Sequence, residues 1–455
     1  MASENTHLSS FELDKIFKRA KNVFFVGIGG ISMSSLAEYC IVSGKRVFGY
    51  DAKRSKECER LERVAHIRYC STTDSVMGMD LVIFSNAIDK SCFELQTARR
   101  LGIPCVSRAN FLAYVMSDCH VRIGVAGAHG KSTVTSMISH IFRCDGRSMS
   151  ALCGAHMKNF GAPFYFGGRD AFIFEACEYM NSFLSLSPSD AVITNIEFDH
   201  PDFFDSYDEL LDSFKQYILC AKRVFINADD RKSAPLRHPF KITFGIRERA
   251  DYMAKIDTGG AKNAFSVIKN GSTLAKIELR EYGRHNVYNA LCAFAVAHTH
   301  KIDASVIAEA LSTFEGTSRR QELFKRVHTL TGEVPLYLDY AHHPTEITAS
   351  LDAFSDMGFK NPLCIFQSHT YSRTYALYSQ FIDALEGVKN LICMPIFSAR
   401  EQNVYGISDE KFAEDIGAIF MSDVGKIAEH VRKSDADCVI LMGAGDIENL
   451  KNHIK

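Results

Sequence analysis

The stretch Val121-Arg122-Ile123-Gly124-Val125-Ala126-Gly127-Ala128-His129-Gly130-Lys131-Ser132-Thr133 decides the fold. Six strand-like residues run into a glycine turn, and apolar positions at helical spacing continue through Phe142. Backbone N–H groups in such a turn point into one concavity. The helix N-terminus behind them adds a positive dipole, so the turn holds phosphates. Lys131 then bridges the outer phosphates and the Ser132 hydroxyl ligates Mg²⁺. The first glycine of the usual GxxxxGK[ST] pattern is missing. A GK[ST] triplet alone is common; the strand before it and the helix after it are what read as an ATP site over Gly127, Ala128, His129, Gly130, Lys131, Ser132 and Thr133.

Upstream, Asn22 to Val26 reads as a strand, Gly27-Ile28-Gly29-Gly30 as a turn, Ile31 to Ser43 as a helix and Arg46 to Asp51 as a second strand. This βαβ unit opens a parallel sheet, continued by Leu81 to Phe84 and Pro104 to Val106. Ser32 stands in the place of the third glycine of GxGxxG, and Asp51 ends the second strand, where an acid commonly holds a ribose hydroxyl. Alone, the unit suggests a nucleotide-containing ligand, with a nicotinamide dehydrogenase as the default and a purely structural turn as the alternative.

Downstream of the phosphate loop, strands are expected at Ala171 to Phe174 and Ala191 to Thr194, a hairpin around Asn270-Gly271 and a helix from Val287 to His298. After Gly316 to Gln321 the alternation restarts. Strands are expected at Leu336 to Asp339, Cys364 to Phe366, Leu391 to Met394 and Cys438 to Met442, with a helix from Thr345 behind Pro344. The expectation is three α/β domains in series, 1–118, 119–315 and 316–455, the first and last Rossmann-like and the central one P-loop ATPase-like.

Composition agrees with an ordinary globular chain. Among 455 residues, 52 Lys and Arg face 54 Asp and Glu, for a net charge of −2, so no nucleic-acid partner is indicated. The fourteen cysteines form no CxxC pair and sit mostly in apolar stretches, which argues for buried thiols in a reducing cytoplasm. Residues 1–21 lack the apolar core of a signal peptide, and no apolar run is long enough for a membrane span.

Several segments supply chemistry at strand ends. Glu175-Ala176-Cys177-Glu178 and Asn195 to His200 follow central strands, where carboxylates complete a metal–phosphate site. In Gly283-Arg284-His285-Asn286-Val287-Tyr288-Asn289, His285 and Asn289 share a helix face, and an Asn can pair with an adenine edge. The paired histidines of Asp339-Tyr340-Ala341-His342-His343-Pro344 suggest zinc, but HExxH spacing is absent. With His369 to Thr374 they read instead as cationic and hydrogen-bonding groups for an anionic substrate.

In this order the segments resemble the Mur ligase family of peptidoglycan synthesis, from about Val23 to Ile447. The marks include the Gly27 to Met33 turn, GAHGKST, GRHNVYNA at 283–290, Arg319-Arg320, DYAHHPTE at 339–346 and Gly443-Ala444-Gly445. The resemblance implies that Gly27, Ile28, Gly29, Gly30, Asp51 and Ser85 hold the UDP end of UDP-N-acetylmuramate. It implies Mg²⁺ at Ser132, Glu178 and His200, adenine at His285 and Asn289, and Arg320 and Asp339 on the ATP. Lys131, Glu178, His200, His342 and Arg373 are the implied catalytic groups. The implied reaction is ATP-dependent joining of L-alanine to a lactyl carboxylate through an acyl phosphate, by a monomer or weak homodimer. A family member adding a whole recycled peptide is the near rival, and a degenerate non-catalytic paralogue the distant one. Ala128, Ser32, Ser35, Asn110, Ser132 and Ser368 depart from the family's commoner residues; none removes a group the chemistry needs.

Overall fold

The computed structural model describes residues 8–72, 75–85, 88–89, 91–199, 201, 203–257, 263–399 and 401–454. His200 therefore lies outside the described residues. Three sheets follow one another along the chain. The first has five parallel strands, Asn22–Val26, Arg46–Tyr50, His66–Arg68, Leu81–Phe84 and Cys105–Ser107, in lateral order 3-2-1-4-5 counted along the chain. The second has ten, and its parallel core includes Val121–Ala126, Met149–Met157, Ala171–Glu175, Asp190–Ile193 and Arg223–Asn227. The third has six, parallel except where Glu322–Thr329 pairs antiparallel with Gly332–Asp339.

The central strands are apolar on both faces because helices cover both. Ile123 and Val125 pack with Met137 and Ile138 of helix Lys131–Cys144 and with Ala290 and Phe294 of helix Arg284–Thr299. Ala126, Phe172, Phe174 and Ile193 face the other way, onto Phe214 and Tyr217 of helix Tyr207–Leu219. That second cluster continues into Val23, Phe25, Leu36 and Phe111, so the core of the first sheet and one face of the central sheet are contiguous. Burial on both sides explains the unbroken apolar runs.

The hairpin forms at Asn270 and Gly271, both with positive φ (51° and 78°), as an Asn-Gly turn demands. Helix Arg284–Thr299 starts three residues earlier than the expected Val287, and Pro344 opens helix Pro344–Asp356 at its first turn. No helix of the described residues is long and apolar enough to cross a membrane. The turns after Asn22–Val26, Val121–Ala126, Ala171–Glu175, Asp190–Ile193 and Gly332–Asp339 all leave carboxyl ends of sheet strands, where α/β folds bind ligands.

Candidate active site

The phosphate loop is shaped by two glycines and by its neighbouring strand. Gly127 has φ +136° and Gly130 φ +81°. A Cβ at Gly127 would run into Thr194 Oγ1, and one at Gly130 would come within 2.5 Å of Asn289 Oδ1. Thr194 Oγ1 donates to the His129 carbonyl at 2.6 Å, while Asn195 accepts from the His129 N–H at 2.9 Å and donates to its carbonyl at 3.1 Å. The end of strand Asp190–Ile193 thus fixes the loop from behind.

Lys131 folds back over the loop it follows. Its Nζ donates to the Gly127 carbonyl at 2.5 Å, the Ala128 carbonyl at 3.2 Å and Glu178 Oε1 at 3.1 Å. Burial works against its charge, but the Glu178 carboxylate and nearby acidic groups outweigh it and hold the pKa above the ordinary lysine value. Ser132 Oγ donates to Glu175 Oε2 at 2.7 Å, an oxygen that also accepts the Gly154 N–H at 2.8 Å. Glu178 Oε2 is buried without a hydrogen-bond partner among the described residues. Two carboxylates and a hydroxyl beside a phosphate loop form an oxygen donor set that suits a hard cation such as Mg²⁺. Of the expected metal group, Ser132 and Glu178 sit here, but the hydroxyl's direct partner is Glu175, which the sequence reading placed in the same segment without assigning it to the metal. Met180 and Asn181, just past Glu178, both carry φ of 53°, a costly backbone for non-glycine residues that commonly marks functional loops.

The third sheet's loops close over the phosphate loop through charged contacts. His129 Nε2 lies 2.9 Å from Glu197 Oε2, and its Nδ1 lies 3.3 Å from Glu346 Oε1. Burial disfavours a charged His129, yet the two carboxylates prevail and raise its pKa to about 9. Burial likewise opposes ionisation of Glu197, but His129 brings it down to about 2. Glu346 also pairs with Arg320 at 3.1 Å and with His342 Nδ1 at 3.1 Å, and Thr345 Oγ1 donates to Glu197 Oε1 at 2.8 Å. Arg373 donates from Nε and Nη2 to Asp199 Oδ1 at 3.0 and 2.8 Å, with both side chains under 10% exposed.

Between these surfaces lies a cavity of about 330 Å³. It is lined by His129, Gly130 and Thr133 of the loop, by Glu281, His285 and Asn289 from the helix Arg284–Thr299 region, and by Arg320, Asp339 and Glu346 of the third unit. The expected ATP residues His285, Asn289, Arg320 and Asp339 therefore meet at one cavity with the phosphate loop. Burial pushes His285 down to about 4, and nearby Arg320 adds to the shift, so its imidazole is neutral. Asp339 accepts the N–H groups of Ala341 (2.9 Å) and Gln321 (3.2 Å), and burial raises its pKa.

The glycine turn of the first unit is braced by Asp51. Its Oδ2 accepts the Gly29 N–H at 2.8 Å and its Oδ1 accepts the Lys53 N–H at 3.1 Å. A Cβ on Gly29 would come within 2.9 Å of Cys58, Ser55 and Asp51. Asp51, read from sequence as a ribose ligand, shapes the turn in this structure. Ser85 follows strand Leu81–Phe84, its N–H bonded to the Val26 carbonyl at 3.2 Å beside the same turn. Arg108 reaches Ser32 Oγ at 3.1 Å and lies close enough to Glu175 to feel its charge. It sits in no motif, so sequence reading missed it. Asp199, Glu197 and Glu346 fell inside quoted segments, but nothing in their spacing announced partners in another domain.

A phosphate loop flanked by two carboxylates and a hydroxyl, and closed over by a third domain that brings Arg320 to the same cavity, is the arrangement of a nucleotide-dependent group-transfer enzyme. Family models confirm the class: "Mur ligase family, catalytic domain" matches residues 22–120, "Mur ligase middle domain" 125–297 and "Mur ligase, glutamate ligase domain" 319–445. The chain belongs to the Mur ligase family. It is 35% identical over 446 residues to UDP-N-acetylmuramate–L-alanine ligase of Caldanaerobacter subterraneus subsp. tengcongensis, covering 94% of this chain and 96% of that one. The enzyme of the same name from Aquifex aeolicus is 35% identical, with the same 94% and 96% coverage. Among solved structures, a UDP-N-acetylmuramate–alanine ligase from Thermotoga maritima superposes with a TM-score of 0.82 at 24% identity, over 96% of this chain and 98% of that one. A murein peptide ligase from Psychrobacter arcticus gives 0.72 at 22%, over 95% and 98%. These likenesses establish the three-domain Mur ligase fold.

Proposed function

We propose that this chain joins L-alanine to the lactyl carboxylate of UDP-N-acetylmuramate, converting ATP to ADP and phosphate in the making of peptidoglycan precursor. The relatives at about 35% identity over nearly the whole chain carry that activity in their names. The observation that carries the reading is the cavity itself, where the phosphate loop meets Arg320, His285 and Asn289 under the closing third unit. The units divide near residues 118 and 316, giving a sugar-nucleotide domain, an ATP domain and a closing domain that takes the amino acid. The enzyme works in the cytoplasm as a monomer or weak homodimer.

A carboxylate is a poor acyl donor. Its oxygen attacks the γ-phosphorus, the bond to the β–γ bridging oxygen breaks, and ADP leaves. Lys131, already held over the phosphate loop, neutralises charge that spreads over the phosphoryl oxygens. The alanine amine then attacks the acyl carbon, loses a proton and expels phosphate. Water would destroy the acyl phosphate, so closure of the third unit is part of the chemistry. Ser132, Glu175 and Glu178, with His200, would hold Mg²⁺, which offsets phosphate charge when bound. The first-unit turn at Gly27 to Gly30, with Asp51 as its brace and Arg108 beside it, orients the sugar nucleotide. Arg373 and His342 position the incoming amino acid.

Phosphate release from ATP with UDP-N-acetylmuramate tests this, comparing L-alanine, glycine, L-serine and a tripeptide. Release with L-alanine is expected. Release with none of the amino acids sinks the proposal, and release with the tripeptide alone assigns the chain to peptide recycling.

A further inference from the structure

Outside the Ser132–Glu175–Glu178 group, the described residues hold one cluster with metal-ligand chemistry. His129 comes from the phosphate loop, Glu197 from the segment after strand Asp190–Ile193, and His343 from the N-cap of helix Pro344–Asp356 in the third unit. One donor atom from each lies within 4.8 Å of the others. His129 Nε2 and Glu197 Oε2 are 2.9 Å apart, and His343 Nδ1 is 3.9 Å from the same Glu197 oxygen. A tetrahedral zinc with bonds of about 2.0–2.2 Å sets its donors roughly 3.2–3.6 Å apart, a spacing these two distances bracket.

We propose that His129, Glu197 and His343 form a second, transition-metal site that takes Zn²⁺ or a similar first-row divalent ion and ties the central unit to the third. Two imidazoles and one carboxylate select such an ion over Mg²⁺, which prefers an all-oxygen shell. The neighbourhood is built as zinc sites are. With His129 Nε2 turned to the metal, its Nδ1–H points to Glu346 Oε1 at 3.3 Å, the carboxylate–histidine support that orients a ligating ring. His343 is fully buried; its Nδ1 accepts a long 3.3 Å bond from the Thr345 N–H, which a metal replaces on taking that lone pair, and its Nε2 has no hydrogen-bond partner among the described residues. His129 must give up the proton it shares with Glu197 and Glu346 before its Nε2 can ligate, so binding releases a proton and strengthens as pH rises. Adjacent-histidine spacing shows none of this, because each ligand comes from a different part of the chain.

The site sits at the phosphate end of the nucleotide cavity, since His129 and Glu197 both line it. A metal there occupies the mouth through which the outer phosphates enter and bridges two units that must separate for turnover. The site is distinct from the Ser132, Glu175 and Glu178 group.

The test uses the full-length, nucleotide-free protein with free Zn²⁺ set by a metal buffer, and Co²⁺ as a spectroscopic substitute. One-to-one binding at micromolar free Zn²⁺ is expected, weakened about tenfold or more by Glu197→Gln and by His343→Ala, in line with losses seen on disturbing metal shells. Cys144→Ser, removing an exposed thiol near His140, should leave binding unchanged. Each variant is checked by circular dichroism, and X-ray absorption on the wild-type metal complex needs no variant: two imidazoles and no sulfur in the first shell support the site. Thiolate charge-transfer bands with Co²⁺, sulfur in the first shell, no saturable binding, or unchanged affinity in both ligand variants would each overturn it.

Discussion

Removing the Arg373 guanidinium should open the molecule. Arg373 places Nε and Nη2 at 3.0 and 2.8 Å from one Asp199 oxygen, with side-chain exposures of 6% and 9%, across the boundary between the central and third units. Exposed ion pairs are worth little, but breaking one buried to this degree by deleting a single partner costs about 3–5 kcal/mol, because the remaining charge stays desolvated. Since the pair joins two units rather than lying inside one core, that cost falls on the closed arrangement. At about 3 kcal/mol the closing equilibrium shifts by roughly two orders of magnitude. Arg373→Ala, Asp199→Asn and the double variant should be compared by small-angle scattering without substrates, and by KM for L-alanine. Each single variant should raise the radius of gyration and the KM, and the double should do little more than either single. Fully additive effects, or singles with unchanged scattering, would refute the pair's role in closure.

Three further outcomes follow from the site. Lys131→Ala should abolish turnover in a chain that still folds, with a lowered midpoint of thermal unfolding because the buried Glu178 carboxylate loses its cation, and retained turnover would contradict its place on the phosphates. Glu175→Gln should raise the Mg²⁺ concentration needed for half-maximal rate by about tenfold or more, since it alters the partner of the Ser132 hydroxyl; an unchanged Mg²⁺ profile would move the ion elsewhere. Glu281, on the cavity wall, is pushed up to about 7 by burial, and its Oε2 has no hydrogen-bond partner among the described residues. A carboxyl whose folded pKa exceeds its unfolded value contributes stability below pH 4.5 and loses it as pH rises through about 7. Glu281→Gln should therefore match wild type in acid but be more stable by about 1–2 kcal/mol above pH 7, after discounting for partial exposure. Denaturation at pH 5 and pH 8 checks this, and equal stability at both would overturn it.

What could be read from the sequence was local in origin. Gly127 to Thr133 announced itself because strand, glycine turn and helix are adjacent, and Asn270-Gly271 because its turn needs two positive φ angles in a row. Strands Met149–Met157 and Arg223–Asn227 went unread, since short apolar runs do not reveal their period. Residue types at the site were legible, but their partners were not. Glu178 read as a metal ligand, but that it also pairs with Lys131 was not legible, nor that the Ser132 hydroxyl turns to Glu175 three residues before it. Asp51 read as a ribose ligand, and its bond to the Gly29 N–H across the turn was not legible. His129 and Arg320 share Glu346, which lies 217 and 26 residues away along the chain. Each of these cations, suited to phosphate, is already compensated by a carboxylate of the protein. Under the proposed function, nucleotide entry exchanges anions at fixed positive charge, and its net free energy is the difference between phosphate and carboxylate on the same partners. The interactions that set this difference join sequence-distant segments, where neither periodicity nor motif spacing carries information.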